Sequence, residues 1–523
     1  MSGTIFVAGH IHSLNPRGTG GNALLVADGR ITAITTPAAA RARMPGAELI
    51  DLGAVTITPG LVDAHIHLTE WAVARTRLDL STAHSVHEAA QAVAAAPRTS
   101  GWILGGGWNP HHWGGDYPDR ASLDAVIPDL PVVLQSHDLH ALWLNTRALQ
   151  LTGVHRLHGD PAGGRILRDD TGSPTGVLLE NAAQVVVSHL PQYDNDSIVP
   201  LIADAQRALH GYGITGVHSF PGVYLRDPDP FPVLHAMRER GELQLRVLQQ
   251  LSLDRLADAL HLGLRSGFGD DWLRVGGVKL FLDGALGSRT AWMRAPYEGA
   301  VDQGVQVMTE TDFRATVGRA ARGGIATVVH AIGDAAVTLA LAVLADETVH
   351  VRALPHRVEH VQCLPPDCAD RLGQRVVCSV QPSHLMSDWR AADRHWGPRS
   401  AHTYAFRFML DSGATLACGS DAPVESADPR LGLYAAVTRT DLAHEPAGGW
   451  HPEQCITARE ALAGYTTGPA YVAGVPAIKT GLVPGALADF VAWKQDPLSI
   501  EPAGLLALEP SATVVAGKIV FQN

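Results

Sequence analysis

The chain has 523 residues, with 40 Lys plus Arg against 52 Asp plus Glu and a formal net charge of −12. The acidic excess and the lack of any basic run argue against nucleic-acid or anionic-membrane partners. No run of 18 apolar residues and no basic leader followed by an apolar stretch occurs, so a cytoplasmic location away from membranes is expected.

The five cysteines (Cys363, Cys368, Cys378, Cys418 and Cys455) form no CxxC pair. Their odd number fits neither a disulfide framework nor a thiolate zinc site, and they read as small core residues. The 26 histidines pose a different question, since imidazole is the commonest protein ligand for transition metals.

In chain order, residues 1–57 begin with β-rich alternation (IFVAGHIHSL, ALLVADGRITAI, ELIDLGAVTI). The last segment, 476–523, matches it with ADFVAWKQD and ATVVAGKIVF, so the two termini are expected to form one small β-sandwich. Between them, over 58–475, eight short apolar runs end in polar residues: 58–67, 213–220, 243–252, 274–284, 326–334, 356–362, 375–383 and 414–423. Amphipathic stretches such as 313–322 and 335–346 separate them, which predicts an α/β fold, a (β/α)8 TIM-like barrel. The spacing breaks between the first two runs. Residues from about 68 to 200 are too many for one crossover helix and predict a large Trp- and Gly-rich insertion, placed to form a lid.

The strongest chemical signal is His65-Ile66-His67 at the end of the first barrel run, because residues i and i+2 of a strand project from one face and can reach one ion. His10-Ile11-His12 has the same spacing but lies in the terminal β segment, where surface or edge histidines are expected. His330 and His360 end later runs, and Asp421 ends the eighth; a cap before Pro423 is the plain alternative for Asp421. Lys279 lies within the apolar run VKLFL, where an unpaired ammonium is costly. It either pairs with Asp283 or points outward, or it reaches the barrel mouth and is carboxylated by CO2 to bridge metals.

The segments PGLVDAHIHL, VKLFLDGALGSRTA, VHAIGD, HRVEHVQ, SVQPSHL, GSDAPVE and GALADFVAW, in this order, resemble the amidohydrolase superfamily. Within it, they resemble the branch of YtcJ-like proteins and N-substituted formamide deformylases. The resemblance implies that His65, His67 and Asp421 bind one metal, His330 and His360 a second, and that carboxylated Lys279 bridges them. Zinc is the default ion, with Mn2+, Fe2+ or Co2+ also compatible. It implies hydrolysis of a C–N bond in a small-molecule amide, such as an N-substituted formamide or N-acyl amine, by metal-activated hydroxide with Asp421 as proton shuttle. A cyclic amide, imine, ester or carbamate substrate, or a non-catalytic regulatory role, is the alternative. Trp108, His140, Asn145, Glu180, Asp283, Ser288, Arg289, Gln381 and His384 match recurrent segments of the branch as substrate contacts, with packing or loop roles as the alternative for each. His84, His87, His111 and His112 are expected to be solvated. A homodimer, the commonest closed assembly, is the expected state.

Overall fold

The computed structural model describes residues 3–15, 18, 20–98, 101–114, 116–137, 139–161, 163–191, 193–222, 230–373, 376–475 and 480–523, without the side chains of His111 and His112. Eight parallel strands form the central sheet: β1 Leu61–Ile66, β2 Ile214–Ser219, β3 Arg246–Leu251, β4 Leu273–Phe281, β5 Thr327–Ala331, β6 His356–His360, β7 Val376–Val380 and β8 Thr415–Cys418. Each pairs with its neighbour in sequence. A parallel bridge from Ile66 to Ala422 brings the ends of the sheet together, and the result is a TIM-type barrel. Seven of the eight strands fall within the predicted runs, and β4 begins one residue before its run, at Leu273. Runs such as TVVHA and VVCSV are buried throughout, as strands covered on both faces must be.

The outer helices show why the intervening stretches coil. Glu310–Arg322 starts at Thr309, whose hydroxyl accepts from Asp312 N, and it buries Phe313, Val317 and Ala320 on one stripe. Asn195–Gly211 begins with a reciprocal capping box between Asp194 and Ser197. Between the helix Leu68–Ala74 and this one, the chain leaves the barrel to build a six-stranded sheet from segments within residues 78–180. Trp108 and Trp143 are fully buried in it, ring centroids 6.2 Å apart and edge to face.

Both termini contribute to a pair of smaller sheets. Arg30–Thr35, Ala23–Ala27, Gly3–Val7 and Glu48–Asp51 form a four-stranded sheet. His10–Ile11, Thr56–Pro59, Phe490–Trp493, Pro510–Val515 and Lys518–Gln522 form a five-stranded one. Phe6 meets Phe490 edge to face at 5.0 Å across their shared core. His12 Nε2 donates to Asp496 Oδ1 (2.9 Å) and His10 is exposed, both within this terminal unit. The strand Thr56–Pro59 continues directly into β1 through Gly60, where a Cβ would lie 2.2 Å from Thr215 Oγ1. Among the described residues, no helix is long and apolar enough to cross a membrane.

Trp493 joins terminal sheet to barrel: it belongs to the barrel core, and its indole N–H donates to Thr58 Oγ1 at 2.8 Å. Trp493→Ala is expected to lower stability by about 3–5 kcal/mol. A fall in the urea midpoint, with Trp493→Phe falling less, checks this.

Candidate metal centre

β1 ends at the C-terminal rim with His65 and His67 on one face. Asp421 Oδ1 lies 3.3 Å from Nε2 of each. Ligand atoms of these three residues all lie within 4.8 Å of one another. All three are buried, and His65 Nε2 has no hydrogen-bond partner. A buried, orphaned ring nitrogen converging with two further donors is the environment that a divalent cation satisfies, and the donor set suits zinc-like ions.

The other nitrogen of each imidazole is tied to protein. His65 Nδ1 is 2.7 Å from Glu359 Oε2, and His67 Nδ1 is 2.7 Å from Pro221 O. Burial lowers the His65 pKa to about 4. At His67 burial pulls downward, but Asp421 prevails and the pKa is raised. Burial alone would raise Asp421, yet His65, His67 and His360 hold it well below the carboxylate range. Asp421 itself sits at φ 60°, with its N–H donating to His65 O at 2.6 Å. A Cβ at Gly419 would lie 2.3 Å from His65 N, so glycine permits the end of β8 to press against β1.

His330 and His360 stand beside this cluster. Their ring centroids are 4.5 Å apart, and the His360 ring is 5.3 Å from that of His65. Burial first, then the Lys279 charge, lowers the His330 pKa to about 3; burial likewise puts His360 well below its usual value. Lys279 Nζ lies 4.7 Å from the Phe220 ring and 4.9 Å from Phe281. Burial lowers its pKa to about 8, so neutral amine is accessible near physiological pH. Its pairing with Asp283 does not occur. Asp283 instead accepts from the backbone N–H groups of Trp292, Ile332 and Gly333 as a loop staple, with Oδ1 also 3.6 Å from His330 Nε2.

Gln381 and His384 do approach the centre. The Gln381 amide lies 3.3 Å from His65 Nδ1, and the His384 ring is 6.3 Å from that of His360. From the insertion, His140 pairs with Glu180 at 2.9 Å, close enough for its charge to depress His330. Arg289 is exposed on the loop after β4 at φ 56°, and Ser288 Oγ is 2.6 Å from Thr290 Oγ1. Two expected substrate contacts become packing residues. Trp108 is wholly buried with its N–H donated to Leu134 O. Asn145 is also wholly buried: Oδ1 accepts from Val132 N and Ala148 N, and Nδ2 donates to Ile127 O and Leu130 O. His84 and His87 are exposed, whereas the side chains of His111 and His112 lie outside the described residues.

Sequence reasoning missed Glu359, Arg357, His218 and Phe220, which surround His65 from below. Phe220 stacks on its ring at 3.8 Å. The signal available was the Arg and Glu at alternate positions of the buried strand HRVEH, two charges aimed into one barrel.

A parallel barrel with paired histidines ending one strand and an aspartate opposing them defines a barrel hydrolase. The sequence profile of the amidohydrolase family matches residues 48–521, and the chain belongs to that family. It is 30% identical to the putative amidohydrolase YtcJ of Bacillus subtilis (strain 168), covering 99% of each chain. It is 27% identical to the N-substituted formamide deformylase of Arthrobacter pascens over 100% of this chain and 99% of the relative. In structure it is similar to an uncharacterized metal-dependent hydrolase from Pyrococcus horikoshii OT3, with a TM-score of 0.79 and 27% identity over 96% and 99% of the two chains.

Asn145→Ala should therefore act on stability and not on substrate affinity. It strands buried backbone groups and removes a helix cap, at about 1–3 kcal/mol. The unfolding midpoint is expected to fall while KM for any turned-over substrate stays put.

Proposed function

We propose that the chain is a metal-dependent hydrolase that cleaves a C–N bond of a small-molecule amide, with N-substituted formamides or related N-acyl amines as the substrate class. One observation carries the reading: the partnerless Nε2 of buried His65 converges with His67 Nε2 and Asp421 Oδ1. The formamide assignment draws on the relative from Arthrobacter pascens, and the metal on the donor set and on the hydrolase from Pyrococcus horikoshii. His65, His67 and Asp421 would hold one ion, zinc by default. His330 and His360 would hold a second, and Lys279, carboxylated through its accessible neutral amine, would bridge the two.

A bound divalent ion polarises a carbonyl and makes water more acidic. The residues do the rest. Burial keeps His65 neutral, Asp421 lifts the pKa of His67, and both rings turn Nε2 toward Asp421 because their Nδ1 atoms are taken up by protein. Asp421 takes one proton from the attacking water and returns it to the departing nitrogen. The water oxygen bonds to the carbonyl carbon, the C–N bond breaks, and a carboxylic acid and an amine leave. The low exposure of the centre keeps bulk water from competing for these polar groups.

Purified protein is expected to contain one to two equivalents of zinc or a similar ion, and chelation should abolish turnover. Metal analysis before and after chelation measures both. His10→Ala together with His12→Ala should leave the metal content unchanged, while His67→Ala should deplete it.

Asp421→Asn separates chemistry from folding. The amide keeps the shape and one ligand oxygen but cannot accept a proton, so kcat should fall by about 10²- to 10⁴-fold with little change in KM. Steady-state kinetics on a formamide series decide it; a near wild-type kcat would reduce Asp421 to a ligand.

A further inference from the structure

Beneath His65 the barrel interior contains a chain of buried polar contacts that the proposed chemistry does not use directly. Arg357 and Glu359 occupy positions i and i+2 of β6 and so point into the barrel together. The Arg357 guanidinium grips both carboxylate oxygens, with Nε donating to Oε1 at 2.5 Å and Nη2 to Oε2 at 2.9 Å. The same group reaches further acceptors. Nη2 also donates to Ala64 O at 2.6 Å and Ser379 Oγ at 2.8 Å, and Nη1 to His218 Nδ1 at 3.0 Å. The guanidinium is thereby anchored to β1, β2 and β7, three strands besides its own. Arg357 and Glu359 are both essentially inaccessible to solvent.

Burying such a pair is a poor way to gain stability, since desolvation offsets most of the attraction and apolar residues of similar volume do as well or better. What the pair accomplishes is geometric. Glu359 Oε2 receives the Nδ1 hydrogen of His65 at 2.7 Å, and that one bond selects the tautomer whose Nε2 carries a lone pair toward Asp421 and His67. A carboxylate held at a single oxygen could rotate. One held at both by a planar fork cannot.

We propose that Glu359 and Arg357 are positioning residues for the metal centre: Arg357 locks the Glu359 carboxylate, and Glu359 fixes the tautomer and ring angle of His65 so that Nε2 meets the ion. The inference rests on the metal-dependent reading above and adds two residues to it.

The test uses the full-length chain, stripped of metal and reloaded with Co2+, whose visible absorption reports ligand geometry. Three variants are compared with wild type. Glu359→Gln removes the charge that selects the tautomer. Glu359→Asp retains the charge beside Arg357, and with it the fold, but falls one methylene short of His65. Arg357→Lys keeps the positive charge and loses the fork. Each is expected to retain the wild-type far-ultraviolet circular dichroism, to bind Co2+ about 10- to 100-fold more weakly in chelator competition, and to show an altered absorption band. Should Glu359→Gln fail to fold, the two charge-retaining variants carry the same expectation. Folded variants with wild-type Co2+ affinity and spectrum would overturn the proposal. A wild-type protein that takes up no Co2+ would instead overturn the metal reading on which it stands.

Discussion

Four imidazoles, a carboxylate and a lysine are withdrawn from water at one end of the barrel, and three of the four rings are held in place there by one nitrogen bonded to protein. His65 and His67 each spend Nδ1 on protein, while His330 spends Nε2 on Gly284 O at 3.0 Å. In all three rings the second nitrogen is thereby left for the centre. Burial keeps these rings largely neutral, except that Asp421 lifts His67, and a neutral ring is the form that ligates. An unsatisfied polar atom in such surroundings costs more than an ordinary hydrogen bond returns, so the buried, partnerless His65 Nε2 is the natural seat for a ligand.

Strand geometry alone would not assemble the site. Alternation along β6 sends Arg357 and Glu359 into the barrel and should turn His360 away from it. The backbone at His360 instead adopts φ 70°, followed by φ 44° at Val361, and this left-handed turn returns the imidazole to the rim beside His330. Asp421 is held in the same way. Non-glycine residues in this region cost about 1–3 kcal/mol each and persist only where their surroundings over-determine them. Here the surroundings are the Asp421 N–H bond to His65 O and the Asp63 carboxylate, which accepts from the N–H groups of both His65 and Ser420 and from the Ser420 hydroxyl.

The barrel was legible in the sequence because a strand covered on both faces must be apolar along its length and polar only where it ends. That rule located all eight strands and, with them, the strand-end histidines and Asp421. It could not reveal Glu359 or Arg357, whose charges interrupt a buried strand and, besides each other, find partners across the barrel in residues 64, 65, 218 and 379. Nor could recurrence of a segment separate packing from contact. Trp108 and Asn145 sit in segments that match the family, yet their hydrogen bonds hold the inserted sheet together. The spacing of His10 and His12 equals that of His65 and His67; only the strand each pair belongs to distinguishes them.

The insertion and the barrel meet at the segment that follows Asp421. Val424 packs against the core of the inserted sheet, and its N–H donates to Asp421 O at 2.9 Å. Glu425 is approached by His137 from the insertion at 3.3 Å and by Ser387 from the helix after β7 at 2.8 Å. Five residues thus carry both the proposed proton acceptor and the seat of the insertion. His65 and His67 come instead from the end of β1, which runs on from the terminal sheet through Gly60. The proposed ligand set thus rests on two supports, β1 for the histidines and, for Asp421, a short loop whose next residues pack against the inserted sheet.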